Sequence, residues 1–123
     1  MDARRTLALA GALLALATVL GAFGAHALKA HLTQDRLQVY ETAVRYHFFN
    51  ALGLLAVGVL LRSMDSELLR WSAGLLLAGV VLFSGSLYLL TFGAPRPLGV
   101  VTPVGGLALI AGWILFAVTV WRR

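Results

Sequence analysis

The sequence predicts an all-α integral membrane protein, a bundle of four transmembrane helices that takes up residues 1–123 as one domain. Three observations predict it. The chain is 60% hydrophobic and only 12% charged, with a mean hydropathy of +0.89, whereas a soluble domain carries about 25% charged residues. A soluble domain of this size leaves too much of itself in solvent to hide so much apolar surface. The charges are also not spread along the chain. They flank four apolar runs, each long enough at about 1.5 Å per residue to cross a hydrocarbon core of about 30 Å.

The first helix is expected over about residues 6–26, because residues 6–24 carry no charge. The rival reading is a cleaved signal peptide, with Arg4 and Arg5 as its basic end and Ala25-His26-Ala27 as an A-x-A site. A signal core usually has about 7 to 15 apolar residues; this run is longer and reads as a retained span. After a polar stretch, Thr33 is placed as an N-cap with Asp35 facing the positive end of a new helix dipole. No Gly or Pro then interrupts until Gly53, so the second helix is expected over about 34–61. That is longer than the membrane is thick, and its first turns project beyond the outer side.

The third helix is expected over about 71–92, opening on Trp71 as an interfacial anchor. Gly93-Ala-Pro-Arg-Pro-Leu-Gly99 is a turn by composition. Thr102-Pro103 then reads as a helix start, with Thr as N-cap and Pro at the first helical position, and the fourth helix runs over about 103–121. Orientation follows from short basic loops staying cytoplasmic. Arg4, Arg5, Arg62, Arg70, Arg122 and Arg123 stand in the termini and second loop, against Lys29, Arg36 and Arg96 in the other two loops. Both termini are therefore expected on the cytoplasmic side of the membrane.

The net charge of +5 raises nucleic acid as a partner. The basic residues form no stripe with interleaved aromatics, so lipid headgroups are the expected contact and nucleic acid is not. The chain has no cysteine, which rules out disulfides, thiolate metal sites and Cys nucleophiles. No H-E-x-x-H, G-x-S-x-G, Walker A or G-x-G-x-x-G pattern occurs. No metal, cofactor or catalytic residue is predicted.

What remains is a set of polar residues that the four-helix topology gathers in the outer half. They are His26, Glu41, Arg45, Tyr46, His47, Asn50, Ser84, Ser86, Tyr88 and Thr102. Glu41 and Arg45, spaced i,i+4 with the acid first, are expected to pair. His47 and Asn50 fall roughly 8 and 12 Å below the outer surface, and Ser84 at about the depth of Asn50. Hydrogen bonding to a neighbouring helix or to local backbone accounts for most of them; ionisable groups within a span are functional candidates by default, Arg45 and His47 above all. Gly21, Gly24 and Ala25 on the first helix, Gly85 on the third, and Gly105 and Gly106 on the fourth are the expected close-packing positions.

Gly21-Ala-Phe-Gly-Ala-His26, Leu82-Phe-Ser-Gly-Ser-Leu-Tyr88, Val101-Thr-Pro-Val-Gly-Gly106 and Ala111-Gly-Trp113 together resemble the domain-of-unknown-function 423 family. These are the YgdD-like small bacterial membrane proteins, to which animal transmembrane protein 256 is similar. The resemblance covers nearly the whole chain and implies a four-helix integral membrane protein with no assigned activity to carry over. One stretch departs from its pattern: Asn50 stands where the family has histidine, and His47 where it has glutamine.

Three functions follow as expectations. The first is a structural or accessory protein, packed against lipid, a membrane-protein partner or further copies of itself. The second is a small-solute or ion transporter or binding protein whose path uses Arg45, His47, Asn50 and Ser84. The third, an outer-surface enzyme with His26, Glu41 and His47 as acid-base groups, lacks any catalytic motif. The arrangement of the polar residues separates the first two: a shared wet cavity favours passage, a dry bonded interior favours packing.

Overall fold

The computed structural model describes residues 1–123, with the side chain of Ala25 outside the described part. Four long helices account for nearly all of it: α1 Ala3–Leu28, α2 Gln34–Leu61, α3 Glu67–Thr91 and α4 Val101–Trp121. There is no strand among the described residues. All four helices are long and apolar enough to cross a membrane.

The helix starts are set by short polar caps, and two lie earlier than the hydrophobic runs suggest. Asp2 accepts a hydrogen bond from the Arg5 amide at 2.8 Å, and the Thr6 hydroxyl donates to the Asp2 carbonyl at 2.7 Å. This cap opens α1 at Ala3 instead of residue 6. Thr33 caps α2, accepting from the Arg36 amide at 3.2 Å. Ser66 accepts from the Leu69 amide at 3.2 Å, with Glu67 in the first turn, so α3 begins a full turn before Trp71. Each cap satisfies an amide that has no partner within its own helix.

The expected start of the fourth helix is overturned. A 3-10 turn, Arg96–Val100, holds Pro97 in its first turn and feeds directly into α4, whose capping position is Val100 with no side-chain cap. Thr102 lies inside the helix, and its hydroxyl is bonded to Ser86 across the α3–α4 interface. Pro103 falls in the first turn of α4, where an absent amide proton costs nothing. The turn before it is made by Gly93, the one described residue with positive φ, at 95°, a conformation open to glycine and strained for others.

α1 also departs from a plain helix. Residues Val19–Gly24 form a π-helical segment between α-helical stretches, and the helix continues past His26 to Leu28. The Tyr40 hydroxyl on α2 donates to the Leu20 carbonyl within this segment. Such π segments are rare and occur mostly as short bulges inside α-helices.

The helices pack in chain order, α1 on α2, α2 on α3 and α3 on α4. Two halves differ in what holds them. Ala10, Leu54, Val57, Leu69, Ala73, Leu76, Val80 and Leu109 form a buried apolar core towards the end where the second loop sits, and the polar residues gather at the other end. At the apolar end Arg70 pairs with Asp65 at 2.7 Å and Glu67 at 2.8 Å, and Arg123 donates to the Asp65 carbonyl at 3.3 Å. The guanidinium of Arg70 holds the Asp65 carboxyl below its usual range. Met1 packs against the same apolar core, so both termini and the second loop share one end.

Close approach is made possible by glycine at particular points. A Cβ on Gly105 would collide with the Phe83 backbone amide on α3, a group that cannot swing aside. Gly85, expected to be another packing position, has nothing within 4 Å of where its Cβ would be; it faces an open groove. Gly105→Ala is therefore expected to destabilise the bundle by about 1–3 kcal/mol through overpacking, and Gly85→Ala, which meets no neighbour, to be neutral or stabilising by up to about 1 kcal/mol through helix propensity. Reversible unfolding of the two variants in mixed detergent micelles, followed by circular dichroism, checks the contrast.

Candidate functional site

The ten polar residues do not meet in one pocket. His26, Glu41 and Arg45 are exposed at the polar end, and the expected Glu41–Arg45 pair is not among the ion pairs of the described residues. Glu41 and Arg45 flank a shallow groove of about 240 Å³ with Gly21, Tyr40 and Val44. Tyr46 is 42% exposed, its ring 5.0 Å from that of Phe83 on α3. Each of the other six is hydrogen-bonded to a residue of another helix.

On the α2–α3 interface the Ser84 hydroxyl donates to the Ala43 carbonyl at 2.8 Å, and the Tyr88 hydroxyl is bonded to His47 Nδ1 at 2.8 Å. Ser84 therefore lies level with Ala43, two turns away from Asn50 along α2, and not at the depth of Asn50. Depth counted along each helix from its own boundary ignores how far neighbouring helices slide past one another. On the α3–α4 interface Ser86 and Thr102 are bonded hydroxyl to hydroxyl.

The fourth link joins α2 to α4 across the bundle. Asn50 is only 5% exposed. Its amide nitrogen donates to the Tyr46 carbonyl at 2.8 Å, and its oxygen accepts from Trp113 Nε1 at 2.8 Å. The indole lies in the notch left by Gly53, where a Cβ would strike the ring. Neither Trp113 nor Gly53 is among the residues singled out from the sequence, and neither is Tyr40, which joins α2 to α1. The nearest sequence signal is Ala111-Gly-Trp113, a motif of the resemblance.

With this geometry in hand, relatives are informative. The family model described as "Protein of unknown function (DUF423)" matches residues 20–106. The chain belongs to this family. It is 46% identical over 104 residues to the UPF0382 membrane protein YwdK of Bacillus subtilis, covering 84% of this chain and 85% of that one. A UPF0382 membrane protein of Staphylococcus haemolyticus is 43% identical over 102 residues, 83% of each chain. The UPF0382 inner membrane protein YgdD of Escherichia coli K12 is 40% identical over 99 residues, 80% of this chain and 76% of that one. No solved structure matches. The chain is an integral membrane protein of the bacterial cytoplasmic membrane.

The matched DUF423 window, residues 20–106, contains all ten polar residues and all of the π segment but Val19; Trp113 lies beyond it. Of the packing glycines inside it, Gly21 has Val44 Cγ1 at 3.2 Å from its virtual Cβ, Gly24 faces the Tyr40 hydroxyl, and Gly106 sits in ordinary contact with the Phe83 ring. Ala25, read with them, has its side chain outside the described residues.

Chemically the site is a set of helix clamps. Among the described residues no three His, Asp or Glu side chains gather as a metal site would require. His47 is 2% exposed and held on one ring nitrogen by Tyr88, while its Nε2 is buried without a partner. Interhelical hydrogen bonds in lipid are worth about 0.6 to 2 kcal/mol each. Trp113→Phe keeps the ring in its notch and removes the donor, so it is expected to destabilise by an amount in that range. Asn50→Leu in the Trp113→Phe background is then expected to cost less than Asn50→Leu alone, because the bond is already gone; a double-mutant cycle on unfolding in detergent measures it.

Proposed function

We propose that this DUF423 protein is a structural or accessory component of the cytoplasmic membrane, working by association with another membrane component and not by passing a solute. The observation that carries this is the dispersal of its polar residues. His47, Ser84, Ser86, Tyr88, Thr102 and Asn50 are each engaged by another helix; Ser86 and Asn50 line two different grooves, and Glu41 and Arg45 line a third. A transport path using Arg45, His47, Asn50 and Ser84 needs them on one wet route; Arg45 faces outward while the other three are buried on helix contacts. The gathering of both termini and the second loop at one end supports the orientation with that basic end in the cytoplasm.

The outer faces remain available. Large apolar side chains such as Phe23, Phe49, Val104, Leu107 and Ile114 are more than half exposed, as surfaces in contact with lipid or a partner helix must be. Purification from native membrane in mild detergent, with mass spectrometry of what is retained, is expected to recover a membrane protein at fixed stoichiometry. Recovery of the chain alone, together with solute or ion flux in proteoliposomes, would overturn the reading. A reporter fused after Arg123 is expected to be active only in the cytoplasm.

A further inference from the structure

The α2–α4 link does more than clamp two helices, because it floors a groove. Tyr46 and Asn50 from α2, Phe83 from α3, and Gly106, Leu109, Ile110 and Trp113 from α4 enclose about 370 Å³, within the range of about 300–1,000 Å³ typical of small-molecule sites. The groove opens sideways: Ile110 is 58% exposed and Trp113 38%, on helices that span the membrane. Asn50 lies eleven residues from the end of α2 at Leu61, which puts it roughly 16 Å from that boundary, near the middle of the bilayer. Whatever enters must come from the lipid phase.

The lining narrows the chemistry. Three aromatic rings from three different helices form the walls, and rigid rings favour a flat, ring-bearing partner over a flexible chain. The floor is polar. A side-chain amide carries two N–H groups and an oxygen with two lone pairs; Asn50 uses one N–H on the Tyr46 carbonyl and one lone pair on Trp113. One N–H and one lone pair are left on a residue that lines the groove. A hydrocarbon chain lying there leaves that donor unpaired in an apolar medium, at a cost, whereas a carbonyl oxygen accepts it.

We infer that this groove binds the head of a lipid-soluble quinone, with a ring carbonyl accepting the spare N–H of Asn50 and the ring held among Tyr46, Phe83 and Trp113. The inference concerns binding and goes beyond the accessory reading without depending on it. A failure of ligand binding leaves the partner experiment untouched, and the reverse holds.

The chain has three tryptophans, and Trp71 and Trp121 are exposed at the other end, at 61% and 89%. In the full chain carrying Trp71→Phe and Trp121→Phe, reconstituted in phospholipid nanodiscs, Trp113 reports on the groove alone. Decylubiquinone is expected to quench it saturably. Asn50→Leu is expected to weaken the half-saturation by about five- to tenfold, the worth of one hydrogen bond. Gly106→Leu, which fills the groove and leaves the Asn50–Trp113 bond in place, is expected to abolish saturation; circular dichroism confirms that each variant is folded. Decylbenzene, with the same tail and a ring lacking carbonyls, is expected to compete poorly. Linear quenching that is the same in all variants means partitioning into the bilayer only and overturns the inference. Equal competition by decylbenzene gives the groove to any apolar chain and overturns it too. So does a high yield of Ile110→Cys disulfide dimers with no quenching, which gives the groove to a second copy.

Discussion

The hydrogen bond from Trp113 to Asn50, seated in the notch at Gly53, is the contact on which the arrangement of the bundle turns. Helices that pack in chain order form a ribbon of neighbours, and nothing in that order alone brings the last helix back to the second. In lipid the hydrophobic effect does not drive helices together; tight packing and interhelical hydrogen bonds do. The indole supplies both at once, a flat surface that needs a missing Cβ to approach and a donor that needs an acceptor at the same depth. The Ser86–Thr102 and Gly105–Phe83 contacts hold α4 to α3, and the indole adds the tie from α4 to α2.

The same constraint explains why the two ends of the molecule are built differently. Towards the charged end the interfaces close with Leu, Val and Ala, and the Ser72 hydroxyl bonded to the Gly112 carbonyl at 2.7 Å is the polar addition there. Towards the other end each interface carries at least one side-chain hydrogen bond: Tyr40 to Leu20, Ser84 to Ala43, Tyr88 to His47, Ser86 to Thr102. Apolar packing alone tolerates sliding of one helix along another, and directed bonds do not. Register is fixed where the hydroxyls and the imidazole are.

Much of the fold is legible in the sequence because length and hydropathy are enough to identify spans, and Asp35 beside Thr33 marks a helix start without ambiguity. The start of α4 is not, because Thr102-Pro103 has the form of a cap while the chain is already helical by Val101. Of the site, the residue types are legible and their partners are not. Periodicity shows which side chains share a face of one helix and says nothing of the stagger between two, so counting along each helix places Ser84 at the depth of Asn50, whereas its hydroxyl meets Ala43. Trp113 is legible in the sequence only as part of the Ala111-Gly-Trp113 motif, because an aromatic residue within an apolar run gives no sign of its partner until Asn50 is seen opposite it.

The π segment of α1 carries a consequence of its own. A π turn accommodates one more residue than an α turn, so its removal would advance everything beyond it by about 100° around the helix axis. Residues Ala25–Leu28, with exposed His26 among them, are thus aimed by a surplus residue upstream as well as by their contacts with α2. The length of the chain before them, counted to the single residue, is a determinant of which way this rim faces.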